Sequence, residues 1–272
     1  MMLAIRVLLS SMVFFLVVLP AFAEDPGQLR KQAAEGDAVA QYLLAVKYDT
    51  GDGLSQDYGE ALTWYRRSAG QGFAAARNNL GVLYQLGLGV PQDFKEALTW
   101  YRLAAEQGFA LARYNLGRMY LTGQGGPRDI MEAFRWIRLA AVQGYAPAQN
   151  ELGNMYYNGE GVTTNYAEAL RWFISAVGQG DALAQNNLGA MYQQGLGGLR
   201  MDINKAAIWY RLAADQGEPI AQRNLGIIYF NGLVVAKNEQ EAERLLNLAA
   251  AQGDETADNI IRKVIKGNPW AR

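Results

Sequence analysis

The sequence predicts an all-α solenoid built from tandem helix-turn-helix units, and three observations carry that prediction. A Gln-Gly dipeptide or close variant places Gly at 36, 72, 108, 144, 180, 217 and 253. The resulting spacings are 36 residues throughout, with a single 37. Apolar and small residues keep helical offsets within every unit, and turn and capping signals fall between the halves. A fixed period in this range marks a stack of supersecondary units that bury their faces against one another.

The first half of each unit carries Ala, then Leu-Gly, then Tyr, as in Ala76, Leu80, Gly81 and Tyr84. Offsets of four, five and eight share one face of a helix. The same register reads Ala112, Leu116, Gly117 and Tyr120, and continues to Ala221, Leu225, Gly226 and Tyr229; the first unit has Ala45 in place of the Gly. The second half pairs Ala with Trp three residues on, at Ala61/Trp64, Ala97/Trp100, Ala133/Trp136, Ala169/Trp172 and Ala206/Trp209, while Ala242 is followed by Leu245. Small residues allow close helix approach, so the Trp and Tyr rings are expected to fill the core between helices.

A Gly-rich turn joins the halves and ends in a capping signal. Asp57/Glu60, Asp93/Glu96, Asp129/Glu132, Asn165/Glu168 and Asn238/Glu241 read as capping boxes, with Lys205 replacing the acid after Asp202. The closing Gly stands where a helix needs a left-handed residue after its last turn. One residue is inserted between Gly195 and Asp202.

The units follow as 37–72, 73–108, 109–144, 145–180, 181–217 and 218–253. Residues 24–36 match only a second half, and 254–272 give a capping helix and tail, with Ala257, Ile260, Ile261, Val264 and Ile265 on one face. Terminal elements of this kind cover the ends of a solenoid. Arg262, Lys263 and Lys266 are read as the solvated side of that cap. Residues 1–23 read as a signal peptide: Arg6, an apolar stretch from Val7 to Leu19, then Ala21, Phe22 and Ala23 before Glu24. The apolar stretch is shorter than the roughly 20 residues of a membrane span, so cleavage between Ala23 and Glu24 and export to a bacterial periplasm or medium are expected, with no stable membrane anchor.

Composition narrows the function. Without Arg6, its only basic residue up to position 23, the chain retains 24 basic and 26 acidic side chains, a net charge of −2. That balance offers no footprint for nucleic acid. His and Cys are absent, which removes the commonest general base, the thiolate nucleophile and the usual transition-metal ligands. After position 23 the serines are Ser55, Ser68 and Ser175, none in a Ser-x-x-Lys or Gly-x-Ser-x-Gly context. The stretch from Asp49 to Glu60 has too few ligands for a calcium loop, and the Gly-x-Gly turns lack the strand-to-helix setting of a phosphate loop. No cofactor, metal or catalytic residue is assigned.

The pattern Ala-x-x-x-Leu-Gly-x-x-Tyr, Gly-x-Gly-Val, Asp-x-x-x-Ala-x-x-Trp and Ala-Ala-x-Gln-Gly closely resembles the Sel-1-like repeat, a relative of the tetratricopeptide repeat. The resemblance covers everything after the signal peptide. It implies a right-handed α-solenoid of antiparallel helix pairs that serves as a non-enzymatic adaptor or scaffold for a protein or peptide partner. A secreted, cysteine-rich branch of that family has been linked to penicillin binding; this chain, without Cys, falls outside it. An acid-only glycan-cleaving enzyme of the envelope and an effector engaging a host protein are the alternatives.

Candidate partner-binding residues lie on the first helices. Asn79, Asn115, Asn187 and Asn224 each precede the Leu of Leu-Gly and form a ladder of amides, interrupted by Leu43 and Glu151. Such amides suit either a partner's extended backbone or hydrogen bonds between adjacent units. Arg77, Arg113 and Tyr114 supply the large side chains from which binding hot spots are drawn.

Overall fold

The computed structural model describes residues 26–234 and 237–262. The expected signal peptide with its Ala23–Glu24 junction, and Lys263, Val264, Ile265 and Lys266 of the expected cap, lie outside the described residues. Among those that are described, every regular element is helical and no helix is long and apolar enough to cross a membrane.

The chain divides into two compact units, Met1–Tyr145 and Ala146–Arg272. In the first, α1 (Pro26–Ala34) precedes three hairpins: α2 (Ala38–Thr50) with α3 (Tyr58–Gly70), α4 (Ala74–Leu86) with α5 (Phe94–Glu106), and α6 (Ala110–Thr122) with α7 (Ile130–Val142). In the second, α8 (Ala146–Asn158) pairs with α9 (Tyr166–Val177), α10 (Ala182–Gln194) with α11 (Ile203–Asp215), and α12 (Pro219–Asn231) with α13 (Glu239–Ala251). The short α14 (Glu255–Ile260) closes on α13, burying Ala257 and Ile261 against Leu246 and Ala249. Within each unit the second helix of one hairpin packs on the first helix of the next.

The Leu-Gly pair has a steric reason. A Cβ added at Gly81 would stand 2.8 Å from the Tyr101 ring, at Gly117 2.6 Å from Ile137, at Gly153 2.5 Å from Phe173 and at Gly189 2.8 Å from Tyr210. The residue after each Trp therefore lies against the first helix of its own hairpin, and Tyr65, Tyr101, Ile137, Phe173 and Tyr210 are all at most 1% exposed. This moves the expected aromatic core by one position. Trp136 is buried at 7%, but Trp64, Trp100, Trp172 and Trp209 are half-buried, because the closest approach of the two helices falls on the following residue.

The caps form as expected, and their acids do something else. Asp57, Asp93, Asp129 and Asn165 each accept from two backbone N–H groups at the head of the second helix, and Asp202 and Asn238 from one. The reciprocal half of the capping box is missing, because the cap's own N–H is already used. Asp57 N donates to Tyr48 O at 2.9 Å, Asp93 N to Tyr84 O at 2.9 Å and Asn165 N to Tyr156 O at 2.8 Å, which fastens the turn. Released from that duty, Glu60 and Glu132 accept from the indole N–H of Trp64 and Trp136 at 3.2 and 2.9 Å, while Glu168 and Glu241 pair with Arg171 and Arg244.

The closing Gln-Gly joins neighbouring repeats. Gly36, Gly72, Gly108, Gly144, Gly180, Gly217 and Gly253 all take positive φ. The preceding glutamine reaches back: Gln71, Gln107, Gln143 and Gln252 donate to the carbonyls of Gly36, Gly72, Gly108 and Gly217 at 2.8–3.1 Å.

Candidate binding surface

On the first helices the amide series forms hydrogen-bonded chains within each unit. In the first, Asn115 donates to Asn78 Oδ1 at 3.0 Å, Asn78 to Asn79 Oδ1 at 3.1 Å, and Asn79 to the Tyr65 hydroxyl at 3.0 Å. Tyr65 in turn donates to Asp49 Oδ2 at 3.0 Å, so one polar path runs from α6 through α4 and α3 to α2. In the second unit Asn224 donates to Asn186 at 3.0 Å and Asn187 to Asn150 and Asn154 at 2.9 and 3.0 Å. Of the two uses that the sequence left open for these amides, bonding between adjacent repeats is the one present in the fold. Sequence reasoning missed the acceptors Asn78, Asn150 and Asn186, which are buried and stand one residue before the ladder; the Asn-Asn doublets at 78–79 and 186–187 were the signal.

Burial raises the Asp49 carboxyl above the usual carboxylate range, against the lowering effect of the Tyr65 hydroxyl, and raises the Tyr65 hydroxyl well above that of a free phenol. The Tyr42 hydroxyl is pushed up to about 12, again mainly by burial. In two other repeats the same position holds an amide: Gln85 accepts from Tyr101 and Gln193 from Tyr210, both at 2.7 Å. A carboxyl raised on folding stabilises below its unfolded pKa and loses that contribution as pH rises through its folded value. Asp49→Gln is thus expected to raise the melting temperature at pH 7 and to flatten its fall as pH rises above the ordinary carboxylate value. Melts across that range check this, and a lower, equally pH-dependent midpoint would refute it.

Arg77 and Arg113 occupy the same position of successive repeats. Their Nε atoms donate to the carbonyls of Ala69 and Ala105 at 3.1 and 3.0 Å, at the C-terminal ends of α3 and α5. Desolvation lowers the pKa of the Arg113 guanidinium from its usual value. Tyr114 is half-buried, its ring meeting Tyr145 edge-on with centroids 5.4 Å apart, and the exposed Arg118 lies 5.9 Å over it. Arg118 and Tyr145 were not singled out by the sequence.

The Tyr114–Tyr145 contact repeats in kind. Tyr42 meets Phe73 at 5.0 Å across the same separation of 31 residues, and in the second unit that pair becomes Arg223 with Asp254, 2.9 Å apart. The helices α4 and α6 follow Phe73 and Phe109, whereas α10 and α12 are capped by Asp181 and Glu218. The heads of α4 and α6 in the first unit are aromatic, and those of α10 and α12 in the second are acidic.

The Sel1 repeat model matches residues 38–73, 74–109, 110–145, 146–181, 182–218 and 219–254, each match beginning one residue after the unit counted from the sequence. A Sel1 repeat protein from Oxalobacter formigenes is 32% identical, with a TM-score of 0.79 over 87% of this chain and 95% of its own. A protective antigen of uropathogenic Escherichia coli with the same repeat fold is 36% identical, with a TM-score of 0.76 over 89% of this chain; the chain spans about half, 52%, of that antigen. An immunity protein from Pseudomonas aeruginosa, 24% identical, has a TM-score of 0.51 over 79% of this chain and 81% of its own, a likeness of fold alone. No curated protein matches. Sel1 repeats are in general protein-interaction scaffolds rather than catalysts. With the family's pattern repeated six times over residues 38–254 and its helical hairpins present in each unit, this chain belongs to the Sel1 repeat family.

Proposed function

We propose that the protein is a non-enzymatic scaffold that binds a protein or peptide partner through the first helices of its first unit. The supporting observation is the clustering of Arg113, Tyr114 and Arg118 on α6, beside Arg77 on α4, at partly or fully exposed positions. Arginine and tyrosine carry much of the affinity where interfaces have been dissected. Of the acid pairs that a glycan-cleaving reading requires, the first member is a helix cap, as where Asp93 Oδ1 accepts from two backbone N–H groups, which favours the scaffold. Among the described residues no three acids converge as a metal site.

Affinity capture from the native envelope supplies the partner. Tyr114→Ala with Arg118→Ala is then expected to weaken the dissociation constant at least tenfold, on the order of 1.4 kcal/mol or more. Helicity should be unchanged. An unaltered constant, with binding lost instead through substitutions on the second helices, would move the site. The same reading includes export after cleavage between Ala23 and Glu24. Sequencing the N-terminus of the mature protein checks it, and recovery of a membrane-embedded form beginning at Met1 would reject it.

A further inference from the structure

At the position of Arg77 and Arg113 the other repeats place glutamine: Gln41, Gln149, Gln185 and Gln222. A neutral amide can perform the structural task, since Gln41 donates to Ala33 O at 3.0 Å just as the arginines donate to Ala69 and Ala105. Glutamine also does more for the fold. Its Oε1 accepts from the closing glutamine of the same repeat, in Gln71 to Gln41, Gln179 to Gln149, Gln216 to Gln185 and Gln252 to Gln222, all at 2.8–3.0 Å. A guanidinium has no acceptor, so Arg77 and Arg113 forgo this bond with Gln107 and Gln143. Arginine there costs the scaffold a hydrogen bond within the repeat.

What replaces that bond is charge. Arg77, Arg113 and Arg118 form no ion pair among the described residues, and α4 and α6 contain no acid. The first-helix arginine of the second unit, Arg223, is neutralised by Asp254. Attraction of a helix C-terminus for a cation is a reason for Arg77 and Arg113, but it does not extend to Arg118, which lies mid-helix on α6 with its guanidinium over the Tyr114 ring. With Nε held by a backbone carbonyl, each of Arg77 and Arg113 keeps its two terminal nitrogens for an incoming oxygen pair, a bidentate arrangement open to arginine and carboxylate.

We infer that the α4–α6 face takes an acidic, extended segment of a protein partner, with Arg77, Arg113 and Arg118 receiving its Asp or Glu carboxylates and Tyr114 packing beside them. The inference rests on the first-helix reading given above and adds the partner's chemistry to it.

A library of random twelve-residue peptides, selected on the intact chain, tests it. The retained peptides should be enriched in Asp and Glu. A fluorescent copy of one should bind at least tenfold more weakly at 300 than at 50 mM NaCl, because exposed charge pairs are screened. It should also bind at least tenfold more weakly to the triple variant Arg77→Gln, Arg113→Gln, Arg118→Gln. That variant should melt no lower than wild type, since glutamine at 77 and 113 is the solution the other repeats use. Three results would overturn the inference: no peptide retained above a bare surface, retained peptides without acidic excess, or undiminished binding to the triple variant. Neutral or basic peptides lost on Tyr114→Ala would leave the first-helix site standing without its acidic partner. Peptides lost only on Arg66→Gln with Arg102→Gln, on the second helices, would remove both readings.

Discussion

Phe173→Ala is expected to destabilise the protein by about 3–5 kcal/mol, as truncation of fully buried aromatic side chains generally does. Phe173 is 1% exposed and its ring lies against the backbone of Gly153, with Ala169, Ala176, Ala184 and Met191 in the same core. Ala169, Ala176 and Ala184 beside it are too small to fill the space that truncation would leave. A repeat depends on its immediate neighbours for much of its stability, so the loss should also loosen the adjoining hairpin of that unit. Trp172→Ala, one residue earlier, removes a larger side chain from a half-buried position and is expected to cost less. Urea midpoints for the two variants decide the matter: a Trp172 variant as damaged as the Phe173 variant would show that the hairpin core does not lie where the glycine contacts place it.

The second large effect is expected from a single methyl group. Gly125 has φ +80°, and a Cβ there would stand 2.3 Å from the carbonyl oxygen of Phe94, at the head of α5 in the preceding hairpin. Gly89 makes the same approach to Tyr58 O at 2.4 Å and Gly197 to Tyr166 O at 2.7 Å. In these three Gly-x-Gly turns the second Gly thus lets one repeat's turn lie directly on the start of the previous repeat's second helix. Gly125→Ala incurs both left-handed backbone strain and overlap with a carbonyl that is part of a helix, together about 2–4 kcal/mol. Gly144→Ala separates the two causes. Gly144 has φ +88° but open space around its Cβ position, so only the backbone part remains, roughly 1–2 kcal/mol. Equal losses in the two variants would show that the close approach contributes nothing.

These glycines show which parts of the protein were legible in the sequence. Period, helix positions, caps and closing glycines could all be read because each is local: a helical offset, a capping residue or a left-handed turn involves neighbours within a few positions. Contacts across 16 to 37 residues were harder. The Trp series stands out because it repeats one letter in five repeats, whereas the more buried position after it varies among Tyr, Ile and Phe. The capping acids were read as reciprocal boxes because nothing local reveals that the Tyr carbonyl of the first helix has already taken the cap's N–H. Arg77 and Arg113 were visible as variable large residues. Their cost to the fold became visible only when Gln107 and Gln143 were found without the amide acceptor that glutamine provides in other repeats.

The contacts 31 residues apart at the heads of the first helices bear on how such an array can be rearranged. Whole-repeat duplication or excision leaves every glutamine-to-glycine bond a neighbour to reach, so copy number is only loosely constrained. Order is constrained more tightly. Tyr42 and Tyr114 each present a ring to the repeat that follows, and Phe73 and Tyr145 answer with a ring; Arg223 presents a cation, and Asp254 at the head of the terminal helix answers with a carboxylate. A shuffled array that seated Asp254 beside Tyr114 would lose both the ring contact made by Tyr114 and the ion pair made by Arg223. Adjacent repeats therefore carry matched junctions, and the first and second units use different ones, so repeats of like sequence are not interchangeable parts.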